Sequence, residues 1–147
     1  MRDIQNNILQ VIQTRCEAKL LNVNMPLPTK KTLVIGASAN PQRYSYLALR
    51  RLHSAGYLVA AIGRKPATVD DVEIVVDKRA VTDVDTVTLY LNANNQKEYY
   101  DYILSLHPRR IIFNPGAENP EFEALAVAHG IEPVEACTLV LLSTGQY

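Results

Sequence analysis

The chain has no tryptophan, only two phenylalanines and two cysteines, and no surplus of charge of either sign. Each shortage excludes something. Cys16 and Cys137 are too few for a disulfide framework and show no CxxC spacing, so reduced thiols in a cytoplasmic protein are expected. Fifteen Lys and Arg balance fifteen Asp and Glu, which argues against a nucleic-acid binder that works by bulk electrostatics. No run approaches the ~18–20 apolar residues of a membrane helix. Ile8-Leu9-Gln10-Val11-Ile12-Gln13 is broken by glutamine and is not the apolar core of a signal peptide. What remains is ordinary for a globular chain: 147 residues, 48% hydrophobic and 20% charged, enough for one domain with a proper core. Aromatic bulk comes mainly as eight tyrosines, whose hydroxyls need partners when buried.

Residues 1–29 stand apart. Ile4, Ile8, Val11, Ile12, Cys16, Leu20 and Leu21 recur at helical spacing and predict an amphipathic helix, ended by the prolines at 26 and 28. The plain reading is a helix packed on its own domain; the sharper one is a contact in a homo-oligomer. From residue 30 to 147 short apolar runs alternate with helical stretches. Strands are expected at 32–35, 58–62, 72–76, 85–91 and 110–113, with a short edge strand at 131–134. Helical stripes follow the first (Tyr46, Leu49, Leu52, His53), the fourth (Tyr99, Tyr102, Ile103, Leu106) and the fifth (Phe122, Leu125, Ala126, His129). Asn119 before Pro120 marks a helix start, and Gly56 and Gly130 mark helix ends. Strand–helix–strand succession predicts a doubly wound, parallel α/β sheet of five to six strands, Rossmann-like, with an N-terminal helical extension.

Ligands of such sheets bind beyond the carboxyl ends of the strands, where strand order reverses. The first strand ends in Gly36-Ala37-Ser38-Ala39-Asn40-Pro41-Gln42-Arg43-Tyr44-Ser45-Tyr46. A glycine there lets backbone approach a phosphate, and Ser45 with the next helix offers hydroxyl and dipole to an anion. The second ends in Gly63-Arg64-Lys65, where a dinucleotide-binding fold would usually carry an acid for the ribose. Two cations suit a phosphorylated ribose instead, as in NADP or coenzyme A. Leu91-Asn92 with two further asparagines, and Asn114-Pro115-Gly116, end the fourth and fifth strands; each serves either a turn or a ligand.

Catalytic machinery is not evident. His53, His107 and His129 lack a neighbouring nucleophile, and no cluster has metal-ligand spacing. Cys137 reads as a buried, unreactive thiol. A reductase-type alternative that uses NADP would need a proton donor, with Tyr46 and Tyr90 as candidates. A ligand-sensing interaction module acting through the N-terminal helix is a third reading.

These motifs in order carry a resemblance. Residues 31–38, Arg43-Tyr44-Ser45-Tyr46, Gly63-Arg64-Lys65, residues 86–92, residues 112–119 and Glu135-Ala136-Cys137-Thr138-Leu139-Val140 resemble small stand-alone CoA-binding proteins. Those proteins are similar to the N-terminal nucleotide-binding domain of succinyl-CoA synthetase α subunits. The likeness runs from Lys31 to Tyr147. It implies coenzyme A or an acyl-CoA held across the strand ends, with Gly36, Ala37, Ser38, Arg43, Ser45 and Tyr46 near the pyrophosphate and pantetheine. It implies Arg64 and Lys65 near the adenosine and its phosphates, and Leu91, Asn92, Asn114, Pro115 and Gly116 along the rest of the crevice. The synthetase's phosphorylated histidine belongs to a second domain that has no counterpart here, so ligase activity is not implied. Residues 1–29 lie outside the likeness, either a native extension or the result of an upstream start, with Met25 as the nearer alternative.

Overall fold

The computed structural model describes residues 31–147; the helix expected over residues 1–29 lies outside them. Seven strands form one sheet in the order β3-β4-β2-β1-β5-β6-β7. They are β1 (Lys31–Ala37), β2 (Leu58–Gly63), β3 (Ala67–Val69), β4 (Val72–Val75), β5 (Val84–Leu89), β6 (Arg110–Phe113) and β7 (Glu132–Glu135). All neighbouring pairs are parallel except β3 with β4. The helices are α1 (Tyr44–Ser54), α2 (Ala93–Gln96), α3 (Tyr100–Leu106), α4 (Pro120–Ala128) and α5 (Thr138–Ser143); a 3₁₀ turn at Lys97–Tyr99 joins α2 to α3.

The strand missing from the sequence expectation is β3. It is three residues long and returns through Asp70 and Asp71, both at positive φ, to pair with β4 at the sheet edge. A run of Ala67-Thr68-Val69 is too short to announce a strand by alternation. α5 was also not expected: Leu139-Val140-Leu141-Leu142 is apolar without a helical stripe, so its period is ambiguous.

Apolar alternation assigns the two faces. Leu33, Ile35, Val87, Leu89, Ile111 and Phe113 meet Ile103 of α3 and Phe122 and Ala126 of α4. Val34 and Ala61 face Leu49 and Leu52 of α1, with Leu142 of α5 beside them. Helices on both faces of a parallel sheet make this a Rossmann-like α/β fold. The crossover from β4 to β5, residues 76–83, carries no helix. It leaves a groove of about 230 Å³ lined by Leu33, Ala60, Ile62, Val75 and Val81, among others.

The α5 face is partly polar. Thr32, Thr86, Thr88, Arg110 and Asn114 are all buried there. Arg110 Nε donates to Thr86 Oγ1 at 2.9 Å, its Nη2 donates to the Tyr147 carbonyl at 3.2 Å, and its guanidinium lies 4.6 Å over the Tyr147 ring. The Tyr147 hydroxyl and Thr32 Oγ1 are 2.6 Å apart, which ties the last described residue to β1. A buried cation is tolerated when its donors are engaged in this way.

Local signals explain the helix boundaries. Asn119 caps α4 by accepting from Phe122 N at 3.2 Å, with Pro120 next and Glu121 and Glu123 in the first turn. Gly56 and Gly130 adopt φ of 91° and 74° just past α1 and α4. Among the described residues no helix is long and apolar enough to cross a membrane.

Candidate functional site

Strand order reverses at β1, which has β2 on one side and β5 on the other. The carboxyl end of β1 is therefore the switch point. Its geometry is set by a bulge at Gly36. Ile35 pairs with Ile62, but the next pair is Ala37 with Gly63, so Gly36 is the extra residue. One added residue inverts the alternation, and Ala37 joins Val34 in the same cluster rather than the opposite one. Gly36 holds φ of 92°, a left-handed conformation that costs side-chain-bearing residues.

Space is as restrictive as conformation. A Cβ on Gly36 would lie 2.7 Å from the Tyr90 carbonyl oxygen and 3.1 Å from Leu91 Cδ2. A Cβ on Gly63 would overlap the Ala37 carbonyl oxygen. Tyr90 N donates to the Ile35 carbonyl at 2.9 Å, extending the β1–β5 pairing up to the bulge. The two glycines let the ends of β2, β1 and β5 close on one another, with the loop after β1 emerging between them.

That loop is internally braced. Ser38 Oγ accepts from Asn40 N at 3.0 Å, Asn40 Oδ1 accepts from Gln42 N at 3.0 Å, and Arg43 N donates to the Asn40 carbonyl at 2.9 Å. Arg43 is the extended residue before α1 and makes no side-chain cap bond. It is exposed, whereas Ser45 is buried at 2% and Tyr46 half-buried, with Arg50 5.9 Å over its ring. Arg64 and Lys65 are both exposed, with no ion-pair partner among the described residues. Arg64 and Lys65 thus put two unpaired positive charges beside the close-packed glycines of an otherwise neutral chain.

The asparagines separate by role. Asn92 Oδ1 accepts from Asn95 N at 2.9 Å, capping α2. Asn114 is 2% exposed, and its amide is wholly engaged: Nδ2 donates to Thr88 Oγ1 at 2.7 Å and the Leu89 carbonyl at 2.9 Å. Its Oδ1 accepts from Thr138 N at 2.8 Å, and the Thr138 and Thr88 hydroxyls lie 2.8 Å apart. Asn114 thus stitches β5, β6 and the start of α5 together below the crevice. Pro115 and Gly116 make the exposed turn above it, closed by Ala117 N donating to the Asn114 carbonyl at 2.7 Å, with Gly116 at φ 93°. Behind the turn Gln96 is fully buried; its Nε2 donates to the carbonyls of Leu91 and Ala117, both at 2.8 Å, and Asn119 Nδ2 donates to its Oε1 at 2.9 Å. The sequence does not mark Gln96, because a glutamine in a polar run gives no sign of burial.

Cys137 is a free thiol and only half-buried, because it stands at the junction of β7 and α5 rather than inside either. Tyr90 Oη is buried without a hydrogen-bond partner in good geometry. Burial pushes that hydroxyl well above its ordinary value near 10, and the nearby Thr138 hydroxyl offsets only part of the rise. A neutral phenol favoured by folding supports the fold fully below about pH 10, and loses that support as pH climbs toward the raised folded value. Burial likewise raises Tyr147. Tyr90→Phe is therefore expected to flatten the alkaline arm of a stability-against-pH profile, measured by urea unfolding between pH 8 and pH 11. An unchanged slope above pH 10 would remove Tyr90 from that account.

The profile of the CoA binding domain family matches residues 30–143. The chain belongs to this CoA-binding family. A crystal structure of an uncharacterized protein is similar at 50% identity and TM-score 0.78, covering 80% of this chain and 98% of that one. A hypothetical protein from Pyrococcus horikoshii OT3 shares the fold at 19% identity and TM-score 0.71, covering 77% and 81%. A dinucleotide-forming acetyl-coenzyme A synthetase from Ca. Korarchaeum cryptofilum does so at 18% identity and TM-score 0.59; the match covers 72% of this chain but 25% of that enzyme. A search of the curated proteins gives no match. Membership supports coenzyme A-related binding and the Rossmann-like architecture.

Proposed function

We propose that this CoA-binding domain holds coenzyme A or an acyl-CoA in the crevice at the carboxyl ends of β1, β2, β5 and β6, without catalysis of its own. The observation that carries the reading is the pairing of Gly36 and Gly63 with the unpaired cations Arg64 and Lys65 at the strand-order switch. Backbone of Gly36, Ala37 and Ser38 takes the pyrophosphate, and Arg43 and Tyr46 flank it. Arg64 and Lys65 take the phosphorylated ribose through charge-assisted bonds. Leu91, Asn92, Pro115 and Gly116 line the pantetheine path. Ser45 and Asn114 are buried and act by holding the loops in place. The protein works in the cytoplasm as a small-molecule binder, with homo-oligomer formation through residues 1–29 as a further part of the reading.

An NADP-dependent reductase is a weaker account of the same crevice. Tyr90, one of its two candidate proton donors, is a poor acid because burial raises its pKa. Calorimetric titration of the full chain with coenzyme A, NADP and NAD separates the two. Binding of coenzyme A in preference to both dinucleotides is expected; no heat with coenzyme A at millimolar concentration overturns the proposal.

A further inference from the structure

Next to the Arg64–Lys65 turn lies a second basic feature that the sequence pattern did not single out. β2 and β4 are neighbours, with Ile62 opposite Val75. Arg64 follows that pair by two residues on one strand, and Lys78 follows by three on the other. The first residues of the helixless crossover are thereby carried to the same end of the sheet as the basic turn. Lys78 does not point away from the domain: its Nζ lies 4.9 Å from the centroid of the Tyr99 ring. Tyr99, in the 3₁₀ turn between α2 and α3, packs against the same buried core as Val75, Val81 and Leu91. Tyr99 thus reaches from the helices after β5 back to the crossover after β4, past the ends of β1 and β2.

Arg64 belongs to the same group. Burial and the Glu98 carboxylate push the Tyr99 hydroxyl above its ordinary value, and the Arg64 guanidinium opposes them across the gap. The charges facing Lys78 are few. Glu98 pairs with it at 3.6 Å but is 65% exposed, an arrangement that a multiply charged phosphate can displace. Arg79 is satisfied by Asp77 at 2.9 Å, leaving Lys78 as the weakly held cation of the crossover.

We infer that Lys78, held over the Tyr99 ring, completes with Arg64 and Lys65 a subsite for the phosphate on the ligand's ribose, an inference that rests on the coenzyme A reading. Three cations from two adjacent strand ends surround one small dianion, and the tyrosine ring positions Lys78 among them. The subsite distinguishes a ribose that carries a phosphate from one that does not. Tyr99 is a positioning residue here; Lys78 makes the contact.

The test compares coenzyme A with 3′-dephospho-coenzyme A by calorimetry on the full chain, for the native protein, Lys78→Gln and Tyr99→Leu. The native protein is expected to prefer coenzyme A by about tenfold or more, in keeping with several charge-assisted bonds. Lys78→Gln is expected to lower coenzyme A affinity about tenfold and to leave dephospho-coenzyme A within about twofold. Tyr99→Leu should erode the same preference, while the thermal midpoint of Lys78→Gln stays at that of the native protein. Native protein that binds coenzyme A with a preference unchanged by Lys78→Gln overturns this inference alone. Native protein that binds neither compound overturns the coenzyme A reading beneath it.

Discussion

Gly36→Val is expected to damage the strand ends severely. The new side chain must adopt φ near 92°, a strain of about 1–3 kcal/mol for a non-glycine residue. It must also displace the Tyr90 carbonyl, 2.7 Å from the Cβ position, and overpacking of that kind costs about 1–3 kcal/mol more. The sum, about 2–6 kcal/mol, is a large share of the ~5–15 kcal/mol that holds a domain of this size together. Movement of Tyr90 would also open the β1–β5 pairing at the Ile35 carbonyl. Urea unfolding should show a midpoint well below that of the native chain, and any folded remainder should have lost the crevice. A native midpoint would mean that the bulge is not a fixed feature of the fold.

Asn114→Ala is expected to cost about 2–4 kcal/mol, for a different reason. The amide makes three bonds at 2.7–2.9 Å, and its removal leaves buried groups on Thr88, Leu89 and Thr138 to find new partners. Each unsatisfied buried group costs about 1–3 kcal/mol, although Thr88 and Thr138 can still bond each other. Asn114→Asp separates geometry from chemistry. The isosteric carboxylate can still accept from Thr138 N but donates to neither Thr88 nor the Leu89 carbonyl, and it buries a charge. Both variants should lower the thermal midpoint, and hydrogen exchange should rise first at α5. A midpoint unchanged in Asn114→Ala would remove the network from the account of stability.

These two positions also show what could be read from sequence and what could not. The parallel sheet, the positions of β1, β2, β4, β5 and β6 and the helix after each βα turn follow from apolar runs of four to seven residues between turn residues. Asn119-Pro120 and Gly130 place α4 almost to the residue, because caps are local chemistry. β3 escaped because three residues carry no period, and α5 escaped because an all-apolar run fits strand and helix alike. At the candidate site, the places of Gly36 and Arg64-Lys65 at the ends of strands are legible in the sequence. Gly36 as a bulge is not, since a register shift exists only between paired strands.

In the sequence Asn114 fits a turn and a ligand contact equally well. Its partners come from β5 and α5, 25 and 24 residues away in the chain, so no local pattern could decide the matter. Lys78 and Tyr99 are separated in the same way: they stand 21 positions apart, and only the crossover after β4 brings them together. Long-range convergence of polar side chains is what a single sequence does not display. Zero net charge gave no hint of it either, because the basic strand ends are balanced by acids elsewhere.

On the proposed function, the basic turn after β2 recognises the phosphorylated ribose of coenzyme A. Arg64→Ala and Lys65→Ala combined test it most directly, since both side chains are exposed and their loss leaves the core intact. Calorimetric titration with coenzyme A at fixed ionic strength should show affinity reduced by about 1–3 kcal/mol in the double variant, roughly 5- to 150-fold, with an unchanged unfolding midpoint. Coenzyme A bound equally well by the native chain and the double variant would contradict it.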